Sequence, residues 1–131
     1  MADDKLTIEG KEPCPQVDFD FTANRFSFSG TSYPENSIEF FGPILSRLDE
    51  HLQTLSDAEV LFELDLSYFN SGASRAFSQF FELLETCAAK GNAVTINWRC
   101  DPEDENMIEL AEDYAEDFEA ASFNVVMEPA G

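Results

Sequence analysis

The sequence predicts an α/β (α+β) fold: a single mixed β-sheet, begun by an N-terminal hairpin, with three helices packed on it. Three observations lead there. Val17-Asp-Phe-Asp-Phe21 and Arg25-Phe-Ser-Phe-Ser29 alternate apolar with polar residues around Thr22-Ala23-Asn24, as two half-buried strands joined by a tight turn do. Beyond them, segments with apolar residues at helical spacing alternate with short apolar runs, the order of βαβ units with right-handed crossovers. The chain has 131 residues, 44% of them hydrophobic and 13 of them Phe, enough for one domain over residues 1–131. A domain of this size buries roughly two-thirds of its unfolded surface.

Lys5 to Gly10 reads as a short edge strand before a Pro-bearing loop. In the hairpin that follows, Val17, Phe19, Phe21, Phe26 and Phe28 turn toward one core. Tyr33-Pro34-Glu35 then opens the first helix. Asn36 and Glu39 have the spacing of a capping box, with Asn in place of the usual Ser or Thr. Ile38, Phe41, Leu45, Leu48, Leu52 and Leu55 form the buried stripe of this helix. Gly42-Pro43 interrupts it, because Pro lacks a backbone donor and crowds the preceding turn; the pair marks either a kink or the true start of the main helix. His51 falls off the stripe and reads as an incidental surface residue.

Residues 57–67 predict a central buried strand, with Val60, Leu61, Phe62, Leu64 and Leu66 interrupted by Glu63 and Asp65. Residues 71–90 predict a helix whose Ala73, Ala76, Phe77, Phe80, Phe81, Leu84, Cys87 and Ala88 share one face. Lys90-Gly91-Asn92 ends it with basic and turn-tolerant residues. Ala93 to Arg99 is the next strand, and Asp101-Pro102 reads as a cap with Pro at the first helical position. The helix over 103–118 buries Met107, Ile108, Ala111, Tyr114, Ala115 and Phe118, and turns Glu105, Glu109, Glu112, Asp113, Glu116 and Asp117 outward. Phe123 to Met127 supplies the last strand, followed by a Glu-Pro-Ala-Gly tail.

Charge narrows the function. Twenty-seven acids against 7 bases give a formal charge of −20, which disfavours nucleic acid and anionic membrane surfaces alike. Such a surface is either a solvated, self-repelling one or a docking face for a basic partner. No apolar run reaches the length of a membrane span, and the N-terminus lacks a signal-peptide layout, so a cytoplasmic protein is expected. Cys14, Cys87 and Cys100 form no metal-binding or disulfide pattern; Cys87 follows the core phase and Cys14 sits between prolines in a loop. No cofactor motif is present: there is no P-loop, GxGxxG, GxSxG or His-rich set. The chain reads as a regulatory protein and not an enzyme, with a small-ligand-binding module as the alternative.

Asn70-Ser71-Gly72 is the turn from the central strand into its helix. Asn and Ser both suit such a turn, since their side-chain oxygens accept from the free N–H groups of the first helical turn. Two readings are open. Ser71 or Asn70 is simply the cap, or Ser71 is a phosphorylatable switch. A helix N-terminus favours phosphate, Gly72 leaves room beside the hydroxyl for another protein, and Arg75 lies four residues on.

LDLSYFNSGASRAF, at 64–77, together with SYPENSIEFFGPIL, at 32–45, resembles the SiaC family of bacterial regulatory phosphoproteins. That family is itself similar to STAS-type anti-sigma-factor antagonists. The resemblance runs from about Asp18 to Glu128 and implies a STAS-like fold. It implies phosphorylation at Ser71, with Ser74 as a second candidate, and Asn70, Gly72 and Arg75 around the phosphate and the partner. It further implies a circuit: a GHKL-type kinase adds the phosphate, a PPM-type phosphatase removes it, and the unmodified protein activates a GGDEF diguanylate cyclase. Raised cyclic di-GMP and biofilm growth are the implied output; another anti-sigma-like output is the alternative.

Overall fold

A computed structural model describes residues 5–11 and 13–127. The expected tail at 128–131 lies outside them. The chain forms β1 (Lys5–Ile8), β2 (Gln16–Asp20), β3 (Arg25–Ser32), α1 (Ser37–Gln53), β4 (Glu59–Phe69), α2 (Ser71–Ala89), β5 (Ala93–Cys100), α3 (Glu105–Ala115) and β6 (Ser122–Met127). All six strands join one sheet in the order β1-β2-β3-β4-β5-β6. The first two pairings are antiparallel and the last three parallel. This is the mixed single sheet with three helices that the hydrophobic pattern predicts.

Each parallel crossover steps one strand along the sheet in the same direction. Right-handed crossovers then lay all three helices on one face. Burial agrees: Val60, Phe62, Leu64 and Leu66 of β4 are buried, whereas Leu61, Glu63 and Asp65 between them are not. β5 repeats the pattern with Val94, Ile96, Trp98 and Cys100 inside. The opposite face is polar and cross-linked by its own side chains. Arg99 Nη2 donates to Glu63 Oε2 at 2.9 Å, and Asn124 Nδ2 to Asn97 Oδ1 at 3.0 Å.

The helix-covered face holds one aromatic core. Phe19, Phe26 and Phe28 of the hairpin meet Phe41, Phe62, Phe77 and Phe80 mostly edge-to-face, with Phe28 and Phe80 centred 5.2 Å apart. Trp98 extends the cluster to Phe81, Tyr114 and Phe123. Such geometry matches the ring quadrupoles and adds to the area buried.

Several elements differ from expectation. α1 is continuous from Ser37 to Gln53, so Gly42-Pro43 is not its start. Burial of Phe41, Ile44, Leu48 and Leu52 offsets the roughly 3 kcal/mol that an internal Pro costs a helix. Ile38 is 86% exposed and not core. It lies about 60° off the Phe41 line, in a first turn at the margin of the stripe. His51 is half-buried: Nε2 sits 2.6 Å from Asn24 Oδ1, and the ring packs edge-on to Phe21 and Phe26. Instead of being incidental, it fastens the hairpin turn, where Asn24 has a left-handed φ of 55°, to the last turn of α1.

α3 is shorter than the 103–118 expected, and its cap is Asp104, whose Oδ1 accepts from Met107 N at 3.1 Å. Asp101 instead accepts from Glu103 N in the preceding turn. Of the predicted stripe only Ala111 is fully buried, because α3 covers the edge of the sheet. Its outward acids are exposed as expected.

Candidate functional site: the turn from β4 into α2

The end of β4 is shaped by a bulge. Leu66 pairs with Gly30 and Tyr68 with Thr31, leaving Ser67 unpaired between them. Ser67 Oγ donates to the Gly30 carbonyl at 3.2 Å, and Gly30 takes the φ of +93° that suits glycine. The extra residue reverses the alternation. Phe69 therefore turns inward, 5.6 Å from Phe77 and 5.8 Å from Trp98, while Tyr68 turns out and stays 55% exposed.

Asn70 is the hinge into the helix. Its N–H donates to the Ser32 carbonyl at 3.0 Å, which ties the turn to the end of β3. Its Oδ1 accepts from Ala73 N at 2.9 Å, and its carbonyl accepts from Ser74 N at 3.0 Å. The cap is thus Asn70 rather than Ser71. Ser71 is left as the first helical residue, exposed, with a hydroxyl that makes no hydrogen bond among the described residues.

Ser74 is placed differently. Its Oγ lies 2.9 Å from Tyr114 Oη, which also receives Ser78 Oγ at 3.1 Å and donates back to the Ser74 carbonyl. This half-buried hydroxyl is a bolt between α2 and α3. A phosphate there would have to break it. Arg75 is exposed one turn beyond Ser71 and makes no ion pair among the described residues.

Gly72 packs closely against α1, so the space beside it is taken up by the protein itself and is not left open for another protein as expected. A Cβ on it would run into Ser37 Oγ, in the first turn of α1. The N-termini of α1 and α2 therefore lie side by side at the carboxyl end of the parallel strands, and their positive dipole ends face the same region. α2 has no acid in its first turn, despite the 27 acids in the chain. An anion at Ser71 meets no fixed negative charge on its own helix start.

His51 cannot activate Ser71. It sits in the last turn of α1, whereas the Ser71 turn abuts the first, about 20 Å away at 1.5 Å per residue. The described residues contain no cluster of His, Cys, Asp and Glu able to hold a metal ion, and no helix long and apolar enough to cross a membrane. Sequence reasoning had missed Ser37 as a neighbour of this turn. The small residue at position 72 was the one signal that something packs closely against it.

Comparisons with known proteins agree with this architecture. An uncharacterised protein of Pseudomonas aeruginosa strain UCBPP-PA14 is 36% identical over 114 residues, spanning 86% of this chain and 88% of that protein. Apo-SiaC from Pseudomonas aeruginosa superposes with a TM-score of 0.80 at 32% identity, over 95% of this chain and 98% of that one. A chain in the crystal structure of the diguanylate cyclase SiaD with its activator SiaC, from the same organism, gives a TM-score of 0.82 at 31% identity, over 92% and 98%. The model of the SiaC family of regulatory phosphoproteins matches residues 8–128, and the chain belongs to that family.

Proposed function

We propose that the chain is a non-catalytic, cytoplasmic regulator, acting as one domain over residues 1–131, that binds and activates a diguanylate cyclase until Ser71 is phosphorylated. The observation that carries this reading is the division of labour at the turn. Asn70 takes the capping role, so the Ser71 hydroxyl is exposed and unengaged at a helix start free of acids. The cyclase partner is supported by the similar SiaC chain, which is the activator of SiaD in their complex.

Phosphorylation adds nearly two negative charges and three strong acceptors. The first-turn amides of α2 and the nearby Arg75 can take up that charge, so the fold tolerates it. A partner packed on the unmodified turn cannot: it would have to desolvate the phosphate without pairing it. A GHKL-type kinase and a PPM-type phosphatase set the two states, and cyclic di-GMP and biofilm growth are the output.

Incubation with the cognate kinase and ATP, followed by mass spectrometry, maps the modified residue. Ser71→Ala is expected to abolish labelling and keep cyclase binding, and Ser71→Asp to weaken it. Undiminished labelling of Ser71→Ala would move the site elsewhere. Full cyclase binding by the homogeneous phosphoprotein would remove the switch.

A further inference from the structure

We infer that the groove between α2 and the end of α3 is a binding site for a small organic polycation, an alkyl polyamine. This site is independent of the functional reading above. The groove has a volume of about 450 Å³, within the range of small-molecule sites. Phe81, buried, forms its base, and two half-buried rings form its walls. Tyr114 is centred 5.1 Å from Phe81 at an interplanar angle of 65°, and Phe118 5.7 Å away at 80°. Steeply inclined rings around one space offer apolar contact to the methylenes of an alkylammonium and π-electron density to its charge.

The rings are fixed before any ligand arrives. Tyr114 Oη is held by Ser74 and Ser78, and Trp98 stacks on its ring at 5.7 Å. Phe118 rests on Phe123 at 5.0 Å. Just beyond Phe118, Glu85 accepts from the N–H groups of Glu119, Ala120 and Ala121, which ties that segment to α2. A site built in advance loses little affinity to ordering. Charge then selects the sign of the ligand. Glu82, Glu85 and Asp117 line the groove and no Lys or Arg does; none of the three acids makes an ion pair among the described residues. Glu82 and Glu85 stand three residues apart on α2, so their Cβ atoms are roughly 5–6 Å apart, a spacing that ammonium groups joined by a short alkyl chain can match. A strongly hydrated cation such as Mg²⁺ keeps its water shell and gains nothing from the rings.

The test titrates spermidine into the full chain by calorimetry, with MgCl₂ at matched ionic strength as the comparison, and follows backbone amide shifts by NMR. Spermidine is expected to bind more tightly than Mg²⁺ and to move the amides of Phe81, Glu82 and Phe118. Glu82→Gln combined with Asp117→Asn should weaken it about tenfold. Both residues are exposed, so their replacement leaves the fold intact. Phe118→Leu, which keeps apolar bulk and loses the π face, should weaken it about threefold. Glu109→Gln combined with Glu112→Gln removes the same charge from the far side of α3, roughly 150° round the helix from Tyr114, and should leave affinity unchanged. Equal losses in the two charge pairs, or Mg²⁺ binding as tightly as spermidine, would mean counterion attraction to a chain of net charge −20 and overturn the site. Amide shifts confined to other faces would overturn it too. No arm involves Ser71, so the site and the switch fail separately.

Discussion

Two side chains at the turn from β4 into α2 show how sequence alone divides roles incompletely. Asn70 and Ser71 are equally good caps by type, and only the backbone path, with Asn70 N bound to the Ser32 carbonyl, decides between them. Ile38 shows the converse, since helical spacing places it near the stripe but cannot tell where the covering layer stops. His51 was misread for the same reason: its burial is supplied by Phe21 and Phe26 from the hairpin, far away in sequence. Burial lowers its pKa from the ordinary 6.5. The unfolded chain therefore takes up a proton at a higher pH than the fold does, and stability rises with pH across that window. The contribution is complete above pH 6.5 and is lost as pH falls below it. Urea midpoints are expected to drop on acidification from pH 7.5 to 5.5, and His51→Gln should flatten that slope. An unchanged slope in the variant would assign the pH dependence elsewhere. A lower window belongs to Glu85, a residue the sequence did not single out. Burial raises its pKa, but N–H groups of Ala121, Ala120 and Glu119 outweigh that and hold it below its usual value.

At the scale of elements, the strands and helices were largely legible and their ends were not. Alternation gives the hairpin and β5, and the periodicity of α2 gives its entire buried face, Ala73 through Ala88. What alternation cannot show is the Ser67 bulge, because an extra residue in one strand is defined only by its partner strand. The cap of α3 was displaced from Asp101 to Asp104 because both are acceptors at suitable spacing, and Asp101 is used by the turn before the helix. The outer face of α3 carries Glu109, Glu112, Asp113 and Glu116, all exposed, and no base follows Arg99 in the chain. Like charges at this spacing repel. Neutralising the four together, as Gln and Asn, should raise the thermal midpoint by a few degrees at low salt, and the gain should shrink by 0.5 M NaCl. Cyclase binding should be unaffected. A fall in association rate would instead make α3 part of the docking surface.

For the whole molecule, the order of elements was enough to predict the sheet class, since each helix between parallel strands has to cross back over the sheet. Its one-sided layering follows from the strands being neighbours in chain order as well as in space. The polar back of the sheet was not foreseen, because Leu61, Thr95 and Val126 there are strand formers like those in the core. Amide hydrogen exchange should reveal a gradient: greater protection in β2, β3, β4 and β5, which pair on both sides, and least in the edge strands β1 and β6. Equal protection of β4 and β6 would mean that the sheet opens only as a unit. The same strand order bears on how the protein is made. Each strand emerging from the ribosome finds its one required neighbour already synthesised, so the sheet can be laid down in register as translation proceeds. The Ser32 carbonyl and Ser37, which hold the turn into α2, both precede it in the chain, whereas the Tyr114 bolt arrives last. Under the proposed function, a nascent chain would present Ser71 for modification before α3 has closed over Ser74, so that its regulatory state would be set during synthesis.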